Sequence, residues 1–111
     1  MRNCNFEAAD LRGSNFAKAN LVGSKFVKAQ LEPLDLESKR MIKTSFAGAN
    51  LRYVNFVDAS LRDVDFSGAD LSFADFTGAD LRGAVFNEVI FEETKGNFES
   101  LVIIKTVVKK G

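Results

Sequence analysis

The sequence contains no histidine and no tryptophan, and only one cysteine, one proline and one tyrosine among its 111 residues. Without histidine, neither a histidine-based catalytic triad nor a histidine-bearing zinc site can be assembled. The single cysteine, Cys4, excludes an internal disulfide framework and favours a reducing, cytoplasmic setting. We therefore expect a protein that is not an enzyme and that holds no cofactor or metal ion.

Charge and hydropathy exclude two further classes of partner. Fifteen lysine and arginine residues balance fifteen aspartate and glutamate residues, so no overall positive charge draws the chain to nucleic acid. No apolar run approaches the roughly 20 residues that span a bilayer. We expect a single domain that binds a protein partner, without direct contact to nucleic acid or membrane.

What the sequence does have is a large apolar residue at every fifth position. The series has no polar member, and a small or β-branched residue stands two positions before most of its members. The series comprises Phe6, Leu11, Phe16, Leu21, Phe26, Leu31, Leu36, Met41, Phe46, Leu51, Phe56, Leu61, Phe66, Leu71, Phe76, Leu81, Phe86 and Phe91.

A five-residue period fits neither an α-helix nor a flat strand. Five residues of helix rotate by about 500°, which would scatter these side chains around the whole helix. We call the large apolar residue of each five-residue unit its centre. Five residues of straight strand would send successive centres to opposite faces of a sheet. All centres reach one core only if the backbone turns by about a right angle in each five-residue unit, or pentad, so that a four-sided coil closes.

Several pentads also share a short motif, found in Ala9-Asp10-Leu11, Ala49-Asn50-Leu51, Ala69-Asp70-Leu71 and Ala79-Asp80-Leu81. These residues resemble the pentapeptide-repeat proteins, whose consensus is Ala-(Asp/Asn)-Leu-x-x. The resemblance implies an all-β fold, namely a right-handed quadrilateral β-helix. The length of the repeat gives about four coils over residues 1–95, and we expect residues 96–111 to form a short C-terminal cap. It does not indicate a particular function, because unrelated roles share this scaffold.

Residues twenty apart should stack on one another if each coil contains four pentads. Aromatic core packing, rather than a cofactor site, then accounts for the phenylalanines. We expect a core ladder with one column of Phe6, Phe26, Phe46, Phe66 and Phe86 and another that contains Leu11, Leu51 and Leu71.

The repeat breaks between residues 33 and 43. Pro33 lacks a backbone donor, and Lys39 stands where a small residue should point inward. A projecting loop or a locally bulged coil is favoured over an irregular coil without a role, because a lysine in the wall costs more than loop closure. Since loops on regular scaffolds often carry function, Lys39 and Arg40 are candidate partner-binding residues.

Tyr53 and Phe73 form a second candidate site. They occupy the same outward position of their pentads and are twenty residues apart, so they should be neighbours on one face. Neighbouring exposed aromatic side chains are typical of binding patches. We therefore predict that this pair contacts a protein partner.

Four aspartates, Asp65, Asp70, Asp75 and Asp80, form a candidate acidic surface. In the quinolone-resistance (Qnr-type) relatives, an acidic surface imitates DNA phosphates and occupies a type II topoisomerase, which makes topoisomerase protection the alternative function. That role needs acidic residues aligned along the rod, whereas consecutive pentads should place these four in a ring around one coil. The favoured function is a small rigid protein-interaction module with an unidentified partner.

The two ends of the repeat differ. After Gly96, β-branched residues favour a strand, although Leu101, Ile104 and Val108 would also share one face of a helix. Such a segment would cover the exposed edge of the solenoid. The start, near Asn3, lies within a repeat and shows no cap, so we expect a homodimer.

Replacing Phe66 by alanine should lower the free energy of unfolding by about 3–5 kcal/mol, because removal of a buried ring leaves a cavity. Urea denaturation measures the loss, and Phe66→Leu, which retains most of the volume, serves as the milder control. A loss below about 1 kcal/mol would place this ring outside the core.

Overall fold

The chain winds into a solenoid whose successive coils are joined by parallel β-bridges. The structure, a computed structural model, describes residues 3–36, 40–96 and 106–109. The bridges fall into four ladders, one for each side of the coil, and one ladder joins Asn5, Lys25, Asn55, Asp75 and Lys95. This arrangement agrees with the β-helix expected from the five-residue period. Within the described ranges, no helix is long and apolar enough to cross a membrane.

Four short strands accompany the ladders. Strands β1 (Leu34–Leu36) and β2 (Arg40–Ile42) pair antiparallel and form a hairpin. Strand β3 (Asn87–Phe91) pairs in parallel with β4 (Thr106–Lys109). The C-terminal segment therefore contains a strand at 106–109, while residues 97–105 and 110–111 lie outside the described part of the chain.

A type II turn bends the backbone after nearly every pentad centre. In the corner after Phe6, the Ala9 N–H donates a hydrogen bond to the Phe6 carbonyl at 3.0 Å, and Ala8 has a φ of 57°. Positive φ at the third residue of four defines this type of turn. The same hydrogen bond recurs at the following corners with lengths between 2.9 and 3.3 Å. These turns produce the right angles that the period requires.

Two facing columns of phenylalanine rings fill the core. Rings one coil apart are stacked with centroids 4.9 to 5.5 Å apart, and rings of opposite columns meet edge to face at 5.6 to 6.0 Å. One column contains Phe6, Phe26, Phe56 and Phe76, and the other contains Phe16, Phe46, Phe66 and Phe86.

The column predicted from a constant spacing of twenty residues is therefore wrong. Two pentads form the hairpin and do not take part in the coil. Residues that pair through a β-bridge on either side of the hairpin, such as Lys25 and Asn55, are therefore thirty positions apart in sequence. Phe46 consequently stacks on Phe16. The predicted leucine column is wrong for the same reason. The backbone hydrogen bonds place Leu51 and Leu71 above Leu21 and not above Leu11.

Pro33 explains where the hairpin begins. It stands two residues after the centre Leu31, at the position where the other corners have positive φ. A proline ring holds φ near about −65°, so this corner cannot form and the chain leaves the coil. Gly13 provides room on the neighbouring coil, because a Cβ atom there would lie 2.8 Å from the Cβ of Leu34. The hairpin lies within residues 33–43, where the sequence repeat breaks.

The side chain of Thr44 replaces a backbone hydrogen-bond acceptor where the hairpin rejoins the coil. Its buried Oγ1 accepts a hydrogen bond from the Gly13 N–H at 2.9 Å. At the regular corner of Gly23, the corresponding N–H donates to the Arg52 carbonyl on the next coil. Thr44 therefore satisfies a donor that the inserted hairpin would otherwise leave without its usual partner.

Replacing Thr44 by valine keeps the shape but removes this acceptor, and should lower the free energy of unfolding by about 1–3 kcal/mol. Thr44→Ser keeps the hydroxyl and should lose less. Chemical denaturation of both variants provides the comparison, and equal losses would contradict a role for the hydrogen bond.

Candidate interaction surface

Tyr53 and Phe73 lie one coil apart at the same corner of the solenoid. The Tyr53 N–H donates to the Ser72 carbonyl at 3.0 Å, which aligns the two turns. The ring centroids are 4.8 Å apart with an interplanar angle of 6°, so the rings are stacked. Tyr53 is 55% exposed and Phe73 is partly exposed. The neighbourhood predicted from their spacing is present in the structure, whereas contact with a partner stays a prediction.

The backbone at this corner disfavours large side chains. Tyr53 has a φ of 62° and Phe73 a φ of 63°. Left-handed backbone is uncommon for residues other than glycine, asparagine and aspartate, and bulky residues are outliers there. Six corners of the described solenoid carry glycine at this position. The conformation of the turn therefore does not favour aromatic side chains at this position.

Charged residues flank the aromatic pair on both sides. The Arg52 guanidinium carbon lies 5.9 Å from the Tyr53 ring centroid, within the range of a cation–π contact. On the other side, the Phe73 N–H donates to the Glu92 carbonyl at 2.7 Å, which places Glu92 and Glu93 on the next coil. Sequence reasoning missed these three residues as part of the site. Glu93 follows Phe73 by twenty residues, so the spacing that found the pair would also have found it.

The hairpin lies away from the aromatic pair. It leaves the coil at the corner after Leu31, two corners before the one that follows Leu51. Arg40 begins strand β2, and Lys39 lies outside the described residues. The four predicted partner-binding residues are thus not all brought together, and Tyr53 and Phe73 form a surface of their own.

The four predicted acidic residues lie on four different ladders, as the ring interpretation requires. Each aspartate Oδ1 accepts a hydrogen bond from the backbone N–H two residues later, at 2.9 to 3.2 Å. The ladders are those of Asp65 with Ser45, Asp70 with Asn50, Asp75 with Asn55 and Asp80 with Ser60. These carboxylates support the turns and do not line up along one face.

Hydrogen bonds stabilise the charged form of two of these carboxylates. The Thr77 hydroxyl, followed by the Thr77 N–H, holds the pKa of Asp75 below its ordinary value. The Arg82 side chain does the same for the pKa of Asp80, to which it donates two hydrogen bonds at 2.7 and 2.9 Å. Both carboxylates are engaged within the chain, which leaves them less available to a ligand.

Two family models match the sequence. A model described as a pentapeptide repeat region covers residues 24–95, and one described as pentapeptide repeats in eight copies covers residues 1–32. No curated protein matches the chain.

Solved structures of pentapeptide repeat proteins are similar to this fold. A protein from the thylakoid lumen of Arabidopsis thaliana matches with a TM-score of 0.74 and 25% identity, over 85% of this chain and 59% of the other. A protein from Nostoc PCC 7120 matches with a TM-score of 0.54 and 23% identity, over 96% and 84%. The plasmid-mediated fluoroquinolone resistance protein QnrB1 has 23% identity over 88% of this chain and 53% of the other, with a TM-score of 0.40.

Acid should destabilise the fold through Asp75 and Asp80, whose charged forms are stabilised by hydrogen bonds. Because their pKa values are lower in the folded than in the unfolded chain, their contribution is present above the ordinary value of 3.8 and is lost as the pH falls through the folded values. Thermal melts between pH 6 and 2 (about neutral to strongly acidic) measure the decline.

A variant with Asp75→Asn and Asp80→Asn provides the control for this acid effect. Asparagine closes the same turn at Asn55, whose Oδ1 accepts the Val57 N–H at 3.0 Å, but it does not titrate. The double variant should therefore lose less stability on acidification. An identical decline in both proteins would show that other groups cause the acid effect.

Proposed function

This chain belongs to the pentapeptide-repeat family, and we propose that it is a non-catalytic, rigid module that binds a protein partner through the stacked pair Tyr53 and Phe73. The observation that carries the proposal is the placement of two aromatic rings on an outward corner with positive φ. Aromatic residues are enriched among the side chains that dominate binding energy at protein interfaces. Neither ring belongs to the phenylalanine columns of the core, so binding offers a reason for their presence.

We further propose that the scaffold has four coils and that the C-terminal segment is its cap. The pairing of β4 with β3 supports a cap, because it adds a strand beyond Phe91, the final centre of the repeat. A covered end would keep the strand edge from pairing with other chains. The predicted homodimer and cytoplasmic location stay predictions. The chain spans 59% of the length of the Arabidopsis relative.

Topoisomerase protection is the less favoured function. A DNA mimic needs charges along one axis. The four aspartates instead surround the coil and accept hydrogen bonds from their own turns. The aromatic pair has no counterpart in a phosphate backbone, and it supports a protein partner instead.

A double variant, Tyr53→Gly with Phe73→Gly, tests the proposal. Glycine relieves about 1–2 kcal/mol of left-handed strain at each site, while loss of the stack and added flexibility cost about as much, so stability should stay within about 1 kcal/mol. Quantitative pull-down from the native host should show loss of a partner that the unaltered chain retains.

The matched control is Lys28→Gly with Asp58→Gly. These residues also have positive φ, are exposed and lie one coil apart at another corner, and their removal leaves the net charge unchanged. The control should keep the partner. Retention of every partner by the aromatic double variant would refute the proposed site, and a large loss of stability would show that the rings are structural.

A further inference from the structure

We infer that the partner presents a basic segment, with an arginine or lysine side chain that packs against Tyr53 and Phe73 and pairs with Glu92 and Glu93. This inference rests on the proposed interaction role and specifies the chemistry of the partner at the same site. It follows from three features of this corner, namely the exposed rings, the two glutamates beside them and the surrounding charge.

The aromatic pair offers ring surface that attracts cations. The face of an aromatic ring is electron-rich, and guanidinium or ammonium groups bind within about 6 Å of its centroid. In this chain the Arg52 guanidinium already lies 5.9 Å from the Tyr53 centroid. Because Tyr53 remains 55% exposed beside it, the corner accepts a guanidinium without enclosing the ring. A cationic side chain from a partner would meet the same kind of surface.

Glu92 and Glu93 place negative charge on the coil that follows Phe73. Glu93 stands at the same corner position as Phe73 and is exposed, and Glu92 is partly exposed. Ion pairs in the described part of the chain join Arg12 to Asp10 and Arg82 to Asp80, and none there involves either glutamate. Two carboxylates next to aromatic rings fit a basic side chain better than an acidic or a purely apolar one.

The charge of the surrounding solenoid favours the same partner. From residue 44 to residue 95 the chain carries nine acidic and four basic residues, a net charge of 4 − 9 = −5. A field of this sign speeds the approach of a basic segment and opposes an acidic one. The part before the hairpin, residues 1–32, carries five bases and three acids, a net charge of +2. Residues 44–95, which contain the aromatic pair, thus carry more negative charge than residues 1–32.

Tyr53 provides a built-in reporter for the experiment. It is the only tyrosine, and the chain has no tryptophan, so tyrosine emission arises from this site alone. The probes are short, end-blocked peptides in which glycine and serine alternate with arginine, lysine, glutamine or glutamate. Titration of the full chain with the arginine and lysine peptides should change the emission saturably and with an affinity that falls as salt rises, whereas glutamine and glutamate peptides should give no saturable change.

Variants that remove negative charge locate the binding site. Glu92→Gln with Glu93→Gln should weaken binding of the arginine peptide by about three- to ten-fold. Glu7→Gln with Glu88→Gln changes the net charge equally at exposed positions on other corners, and should weaken it by less than about two-fold. Phe73→Gly, which keeps the reporter, should weaken binding at least as much as the first pair.

The outcomes separate this inference from the proposed function. No saturable response to either basic peptide, or equal weakening by the two glutamine double variants, would overturn the assignment of a basic partner. The interaction role itself would still stand if the native partner were lost with Tyr53→Gly and Phe73→Gly. Selective weakening by the variants at 92 and 93 supports the inference.

Discussion

The corner turn is the interaction on which the rest of this structure depends. In each turn the carbonyl of a Phe or Leu centre accepts a hydrogen bond from the N–H three residues later. The residue two positions after the centre has positive φ. Repetition of this turn brings the centres outside the hairpin to one core and aligns the backbone for bridges between coils. The phenylalanine columns follow, because neighbouring strands are about 4.8 Å apart, close to the stacking distance of aromatic rings.

Backbone hydrogen bonds and small polar side chains close the turns. Some outward side chains therefore stabilise the turn, whereas others contribute nothing to its hydrogen bonds. Asn55 and Asp75 accept the same backbone hydrogen bond, although only one of them carries a charge. A series of aspartates at this position is therefore explained by turn closure and does not by itself indicate an acidic binding surface. Tyr53 and Phe73 differ, because the turn neither uses their side chains nor favours their conformation.

The five-residue period was enough to predict the coil and the juxtaposition of Tyr53 and Phe73, but not the register of the core. The hairpin adds two whole pentads, and the alternation of Phe and Leu repeats every ten residues, so the hydrophobic pattern is identical with or without it. The decisive signal was Pro33, which cannot adopt positive φ. Pro33 predicts a break in the coil only if the corner is known to require positive φ. The five-residue period alone does not specify that type of turn.

The aromatic corner also shows how a repetitive scaffold can separate stability from binding. Each ring accepts about 1–2 kcal/mol of left-handed strain that glycine would avoid, and the stack offsets only about 0.5–1.5 kcal/mol in total. The fold alone therefore does not account for the pair. The coils hold the two rings nearly parallel at 4.8 Å, so a partner would meet a surface that needs little further ordering. Preorganisation of this kind would offset the unfavourable backbone if a partner binds.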